Sequence, residues 1–170
     1  MRIITGTLGE DHVTSNDDGE FNMALFGSGM VVLENGHKFD ASIISSNKIE
    51  VKDGNLVMQG RHALINPNEV EDINIETGNV GYKRNDLIVA RYTLNPETGY
   101  EDISLKVIKG QETTGTPVDP SYITGDIRTG ATLVEYPLYR VAVNVTAQTL
   151  TKLFEVNEIG KDAFIAWLKA

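Results

Sequence analysis

The side chains best suited to metal or proton chemistry in this sequence are its three histidines, His12, His37 and His62. Each interval between them is 25 residues, whereas zinc sites usually contain at least one pair of ligands close together in sequence. Cysteine is absent, which excludes disulfides, thiol catalysis and cysteine–metal ligation. The sequence therefore predicts no metal site and no cofactor.

Two short motifs match functional loops only in part. Residues 14–19 are rich in Asp and Asn, but the EF-hand register would place Thr14 and Leu25 where the calcium loop uses carboxylates. A β-turn is the better interpretation of this segment. Ser28 lies directly between two glycines, whereas a nucleophile elbow needs Gly-x-Ser-x-Gly between a strand and a helix. We expect neither calcium binding nor a serine nucleophile.

Carboxylates able to act in pairs are plentiful, and include Asp72, Glu76, Asp86, Glu101 and Asp102. A glycoside hydrolase needs two of them across a cleft, one kept protonated by apolar surroundings. The alternating patterns around these residues indicate solvated strand faces instead. We predict a protein without enzymatic activity, with a glycan hydrolase built on paired carboxylates as the enzymatic alternative.

The composition is that of an acidic protein. The 170 residues include 24 acidic and 15 basic side chains, for a net charge of −9. A surface of that sign repels nucleic acid and anionic lipid, so neither is an expected partner. No apolar run approaches the ~20 residues that span a bilayer, and the first residues are too few and too polar for a secretory signal. We expect synthesis in the cytoplasm and no membrane insertion.

The elements that must position these residues are predicted to be β-strands, organised around residues 85–110. Residues 87–94 form a nearly continuous run of apolar and β-branched side chains, which is typical of a strand covered on both faces. Residues 103–107 alternate between apolar and polar, as in a half-buried strand. The turn-forming residues 95–99 lie between them. The pattern predicts a long antiparallel hairpin with a central strand followed by an outer strand.

Shorter predicted strands are separated by turn residues. Residues 12–26 predict a strand–turn–strand hairpin with Asp17-Asp18-Gly19 at its tip. Further hairpin turns are predicted at Ser46-Asn47 and at Asp53-Gly54. Strands at roughly 8–12-residue spacing, separated by such turn residues, predict an all-β protein built as an antiparallel β-sandwich.

Prolines determine the conformation expected for the segment after the central hairpin. They predict an extended strap over residues 111–130, with no helix, and a bulge or sheet edge at Pro137 in the following strand. With that strand, the predicted β-sandwich domain covers residues 1–145.

The period of the apolar residues becomes helical only near the end of the chain, so residues 146–170 predict a short helical C-terminal appendage in two pieces. The apolar positions at helical spacing are Leu150, Leu153, Phe154, Ala163, Phe164, Trp167 and Leu168. Pieces this short must dock on a surface to be stable. Two interpretations stay open: docking on the chain's own domain, or an oligomer or partner contact made by Phe164, Ile165, Trp167 and Leu168.

The tyrosines also have two interpretations. They are Tyr82, Tyr92, Tyr100, Tyr122, Tyr136 and Tyr139. In the first interpretation, they form a platform together with Trp167, on which a sugar stacks. Tyrosines at strand ends are more often core or interface residues, because the ring packs while the hydroxyl stays hydrated.

In the order and spacing of its motifs, the chain resembles tail proteins of siphophages and prophages of Gram-positive bacteria. The motifs that carry the resemblance are the segment 14–19, residues 26–29, residues 39–46, residues 53–61, residues 84–92, and residues 107–110 with 115–117 after them. They are similar to the N-terminal shoulder β-sandwich of baseplate receptor-binding and upper baseplate proteins, over about residues 1–156.

This resemblance implies a structural or adaptor protein of the virion, located in the tail tip or baseplate and trimeric as many relatives are. Its implied partners are other tail or baseplate proteins, with a cell-wall saccharide as a further candidate ligand. Full receptor-binding proteins continue into a neck and a saccharide-binding head, whereas this sequence stops at Ala170. The alternative function is a free carbohydrate-binding β-sandwich module.

Overall fold

A computed structural model describes residues 13–157 and residue 169 of the chain. Within these residues the fold is mainly β, with one α-helix at the N-terminal side. The elements are α1 (Ser15–Phe26), β1 (Met30–Leu33), β2 (Ala41–Ser45), β3 (Lys48–Met58), β4 (Arg61–Asn74), β5 (Lys83–Leu94), β6 (Glu101–Ile108), β7 (Leu133–Asn144), β8 (Ala147–Lys152) and β9 (Val156–Asn157). A 3₁₀ turn, Ile127–Thr129, precedes β7.

The strands form two sheets that are almost wholly antiparallel. In the first sheet, β3 pairs with β4 along one edge and with β2 and β1 along the other, and β9 adds parallel to β1. The second sheet has the order β6-β5-β7-β8, with every pair antiparallel. The predicted mainly β, antiparallel class is confirmed.

One hydrophobic cluster is shared by both sheets. Its members include Val32, Ile49, Leu56 and Met58 from the first sheet and Ile88, Tyr92, Leu138 and Val141 from the second. Burial of such side chains contributes roughly 1.5–3 kcal/mol each to folding, so this shared core is the main reason the sheets stay together.

The predicted central hairpin is confirmed. β5 lies between β6 and β7, and the two strands of the hairpin pair from Leu87 with Ile108 to Leu94 with Glu101. Both faces of β5 are covered: Ile88 belongs to the shared core, and Leu87 and Val89 are buried on the opposite face. This two-sided burial explains why its sequence is a continuous apolar run.

β7 contains a bulge next to Pro137, which is one of the two alternatives predicted there. Ile88 pairs with Tyr139 and Val89 pairs with Pro137, so Leu138 is an extra residue in β7. β8 pairs with β7 only from Tyr139 onward, so the missing N–H of Pro137 costs no bond to β8. Leu138 and Tyr139 both enter the core cluster, which keeps Glu135 and Arg140 together on the opposite face.

The hairpin predicted for residues 12–26 is wrong, because residues 15–26 form helix α1. The side chain of Thr14 accepts a hydrogen bond from the N–H of Asp17, and the carboxylate of Asp17 accepts one from the N–H of Thr14. This reciprocal capping box starts a helix where the Asp-Gly pair indicated a turn. The helix ends at Gly27, whose φ is 83°.

The turn predicted at Asp53-Gly54 is also wrong, since β3 runs straight through it. A residue at position 54 with a Cβ would place it 2.6 Å from the N of Phe39, so the small glycine admits a close main-chain approach here. The chain turns instead at Gln59 and Gly60, both with positive φ, in a two-residue hairpin of type I′. The turn predicted at Ser46-Asn47 is confirmed.

The first piece of the predicted C-terminal helical appendage is wrong. Residues 147–152 form β8, which pairs with β7 across a two-residue turn, so the second sheet continues beyond residue 145. The apolar residues Leu150 and Leu153 are separated by three positions, a spacing that a short strand and the loop after it satisfy equally well. The second piece lies outside the described residues.

Candidate functional site

The four residues predicted to contact an oligomer or partner, Phe164, Ile165, Trp167 and Leu168, lie outside the described residues, as do His12 and residues 1–11. The structure therefore adds nothing to that prediction.

Two of the three histidines contact different partners. The Nδ1 of His37 bonds to the carboxylate of Asp53, and the Nε2 of His62 lies 2.8 Å from the Oδ1 of Asn55. Hydrogen bonding from His37 lowers the pKa of Asp53. In residues 13–157 and 169, no group of three or more His, Asp or Glu side chains is arranged to hold a metal ion. Those same residues include no helix that is long and apolar enough to cross a bilayer.

The tyrosines do not share one surface. Tyr92 and Tyr139 are buried, while Tyr82, Tyr100 and Tyr122 are exposed. Tyr82 directly precedes β5 and Tyr100 follows the turn at its far end, and a 12-residue strand spans roughly 40 Å. Tyr122 lies on the strap. A single stacking platform made of the exposed tyrosines is therefore not present in this arrangement.

Among the described residues, the most buried ion pair is that of Arg84 and Asp86, which form the Arg84 cluster together with Glu112. The Nε of Arg84 donates to the Oδ1 of Asp86 at 2.9 Å, and one of its terminal nitrogens lies 3.1 Å from Glu112. The guanidinium also donates to the main-chain carbonyls of Glu76 and Thr77. These contacts tie the start of β5 to the end of the first sheet and to the strap.

The same cluster fixes the end of the central hairpin. The Oδ1 of Asp86 accepts a hydrogen bond of 2.8 Å from the N–H of Gly110. Burial alone would lower the pKa of Arg84, but its hydrogen bonds to Asp86 and Glu112 outweigh burial and raise it. Buried charges are tolerated when paired and hydrogen-bonded in this way. The geometry is that of a structural joint, because Arg84 and Asp86 are buried and their charges are bonded to protein groups.

The strap is fastened to the outer face of the second sheet by two carboxylates. Asp119 accepts hydrogen bonds from the amide of Asn85 at 2.8 Å and from the Nε of Arg140 at 2.6 Å. Glu135 accepts one from the N–H of Ile123 at 2.8 Å and returns its own N–H to the carbonyl of Ile123 at 2.7 Å. The predicted extended strap is confirmed, except that the 3₁₀ turn Ile127–Thr129 closes it.

An open groove lies beside helix α1, between it and the strands β4 and β6. We call it the α1 groove; its volume is about 690 Å³, and its lining includes Asp18, Phe21, Arg61, Leu64, Glu101 and Ile103. Phe21 is 66% exposed and Leu64 is 46% exposed, so apolar surface faces solvent here. Grooves of a few hundred Å³ that combine apolar walls with a few polar groups are typical of binding sites.

Helix α1 is held tightly against the hairpin turn that forms one end of the groove. The amide of Asn22 donates to the carbonyl of Gly60 at 3.0 Å. A Cβ on Gly60 would collide with the main-chain carbonyl of Gly19, so the helix and the turn meet backbone to backbone. Arg61 extends past Gly19 to bond the side chain of Asn16 at 2.9 Å. The wall of the groove is therefore rigidly placed.

The floor of the α1 groove is a hydrogen-bonded set of three side chains. The hydroxyl of Tyr92 donates to the Oε1 of Glu101 at 2.6 Å, and the Nε of Arg61 donates to the same oxygen at 3.0 Å. Burial, and then the hydrogen bond to Glu101, raise the pKa of Tyr92 to about 12. Burial raises the pKa of Glu101, but its bonds from Tyr92 and Arg61 outweigh this and lower it. At neutral pH the phenol of Tyr92 stays protonated and the carboxylate of Glu101 stays charged, so the hydrogen bonds of this set do not change.

A second cleft of about 750 Å³ lies between the strap and the chain after β8. Its lining includes Leu87, Tyr122, Pro137 and Leu153, so it is mostly apolar. Asn157, at the end of β9, is also part of its lining.

No protein-family model matches this sequence, and no curated protein matches it.

The α1 groove was not anticipated from the sequence. The available signal was the Thr14-x-x-Asp17 spacing, which predicts a capping box, together with Phe21 and Leu25 at i and i+4 on one helix face. Recognising that signal would have placed an apolar helix face here. It would not have shown that β4 and β6 lie beside it.

Proposed function

We propose that this chain is a non-enzymatic structural or adaptor component of a phage-type tail baseplate, working as a homotrimer that attaches or positions a host-recognition module. The resemblance of the sequence motifs is its starting point. The two sheets that share a core are the arrangement expected of a shoulder β-sandwich.

The observation that carries the proposal is the set of contacts made by residues 84–92, one of the segments in which the sequence resembles baseplate proteins. Arg84 and Asp86 are buried and bind each other, Glu112 and main-chain groups. The apolar side chains that follow are covered on both faces of β5. The chemistry of this segment supports a scaffold, because its buried charged groups, Arg84 and Asp86, hold the hairpin and the strap together.

The first experiment is the solution mass of the full chain by light scattering on a sizing column. The proposal expects a species near three times 18.6 kDa. The double variant Phe164→Ala/Trp167→Ala tests the predicted contact, and Val80→Ala, a change at an exposed apolar residue, is its control. Loss of the trimer in the double variant alone supports the assignment of that contact.

A clean monomer at micromolar concentration contradicts the homotrimer and makes a free carbohydrate-binding module the better account. Binding on a glycan array would then support that module, whereas turnover of cell-wall polysaccharide would support a hydrolase. Location in the tail is tested separately, by immunogold labelling of phage particles from the bacterium that encodes the chain. Gold at the tail tip is expected, and unlabelled tails contradict the baseplate assignment.

A further inference from the structure

The α1 groove is bordered by a sheet edge that is open for pairing. β4 bonds to β3 along one side, and no strand in residues 13–157 pairs with its other side. The far part of this edge is interrupted, since the four residues 66–69 lie opposite a single residue of β3, Asp53. These four include Pro67, and also Asn68, whose φ is 66°. Bulges and prolines of this kind block the addition of further strands. The regular part of the free edge is residues 61–65.

The hairpin register shows which main-chain groups point outward. Met58 and Arg61 close a two-residue hairpin, so they exchange hydrogen bonds with each other. On the other side of β3, the N–H of Gln59 donates to the carbonyl of Gly29, as expected when the main-chain groups of successive residues point to alternate sides of a strand. The N–H and C=O groups of His62 and Leu64 therefore point away from β3, toward the groove.

The charges around this edge favour a basic partner. Arg61 is neutralised by Glu101, while the carboxylates of Asp18 and Asp102 also line the groove. These two carboxylates leave the groove with a net negative charge, in a chain whose total charge is −9. Phe21 and Leu64 add exposed apolar surface beside them. The complementary ligand combines basic and apolar side chains.

We infer that the α1 groove is a docking site for an extended basic and apolar peptide segment of a partner protein, which adds as a strand to residues 61–65 of β4. Main-chain hydrogen bonds to His62 and Leu64 supply the pairing, as in other cases of strand addition to a sheet edge. Phe21 and Leu64 hold an apolar side chain, and Asp18 and Asp102 pair with basic ones. This inference does not rest on the baseplate assignment.

The test uses the full chain and a fluorescein-labelled peptide, KVKVKVK, as probe. The matched peptides are EVEVEVE, which reverses the charge, and KVKVKVK N-methylated throughout, which keeps the charge but lacks main-chain donors. We expect KVKVKVK to bind in fluorescence anisotropy at 50 mM salt, and both matched peptides to bind at least ten-fold more weakly. Hydrogen exchange is expected to show new protection in residues 62–65.

Two variants locate the site. Leu64→Pro removes the outward N–H, which leaves the bonds to β3 intact, and it is expected to weaken binding at least ten-fold. Asp18→Asn/Asp102→Asn is a surface change that preserves the fold, and it is expected to weaken binding several-fold and reduce the salt dependence. Val118→Ala, at an exposed apolar residue of the strap, is the control and should leave binding unchanged.

Several outcomes overturn the inference. They are no binding of KVKVKVK up to 1 mM, equal binding of the N-methylated peptide, or equal binding to the Asp18→Asn/Asp102→Asn chain. If Leu64→Pro folds and instead dissociates an oligomer in light scattering, the edge is a contact between copies of this chain. A monomeric chain that still binds KVKVKVK at this edge would contradict the trimer of the proposed function and support the docking site.

Discussion

Replacing Arg84 with methionine is expected to be among the most destabilising single substitutions in the protein. Methionine keeps much of the side-chain volume but removes the guanidinium from a carboxylate, Asp86, that is 1% exposed. The N–H of Gly110 then remains as the partner of that carboxylate, and the carbonyls of Glu76 and Thr77 lose their donor. Removing one member of a buried ion pair typically costs about 3–5 kcal/mol. That is a large share of the ~5–15 kcal/mol by which domains are stable.

The measurement is urea unfolding followed by far-UV circular dichroism. With a slope of about 2 kcal/mol per M, a loss of 4 kcal/mol lowers the midpoint by about 2 M. Arg128→Met is the control, because Arg128 and Glu20 are 51% and 58% exposed and such a pair contributes about 1 kcal/mol or less. Adding Asp86→Asn to Arg84→Met should recover stability, since the charge is gone and an oxygen remains for Gly110.

The reasoning is refuted if Arg84→Met lowers the midpoint no more than Arg128→Met does. It is also refuted if the double-mutant cycle between positions 84 and 86 shows a coupling below about 0.5 kcal/mol, because residues in direct contact normally couple by more.

Three further predictions follow from the strap, the first hairpin turn and the C-terminal segment. The hydrogen bond from Arg140 lowers the pKa of Asp119 below its ordinary 3.8. The stability that Asp119 gives to the strap is therefore fully present above pH 3.8 and is lost as the pH falls through the lowered pKa. Hydrogen exchange of strap amides should rise over that pH range, and Asp119→Asn should remove this pH dependence. Gly60→Ala should cost more than the about 1–2 kcal/mol of Gly81→Ala in urea unfolding, because both have positive φ but only a Cβ at position 60 meets the main chain of α1. Truncation after Asn157, which keeps β9, should leave a folded monomer by light scattering; an unchanged mass would show that the C-terminal residues do not make the oligomer contact.

The parts of the fold that could be predicted from the sequence are those decided by local pattern. The strands of the central hairpin were predicted because burial on both faces of β5 imposes a continuous apolar run. A bulge or a sheet edge was predicted at Pro137 because proline has no N–H to donate, and the bulge is what the strand forms. These constraints act within a few residues, so the sequence displays them directly.

The failures occurred where a local signal was overruled by a distant contact. Asp53-Gly54 is a strong turn signal, yet Asp53 bonds to His37, and Phe39 packs against Gly54. Asp18-Gly19 is the same signal, and there the capping box and the approach of Gly60 favour a helix. The α1 groove draws on four separate elements, so no local pattern could have revealed it. The C-terminal contact stays a prediction.

The bulge in β7 makes the strand tolerant of one particular change in length. Leu138 has no partner in β5, because Pro137 pairs with Val89 and Tyr139 pairs with Ile88. A chain that lacks Leu138 can keep both of these pairs, so the residues on either side stay on the faces they occupy. The loss is then one buried leucine side chain. A one-codon deletion at a paired position of β7 would instead shift the register and turn the residues beyond it to the opposite face. Sequences that share this fold are therefore expected to differ in length at position 138 more readily than at its neighbours.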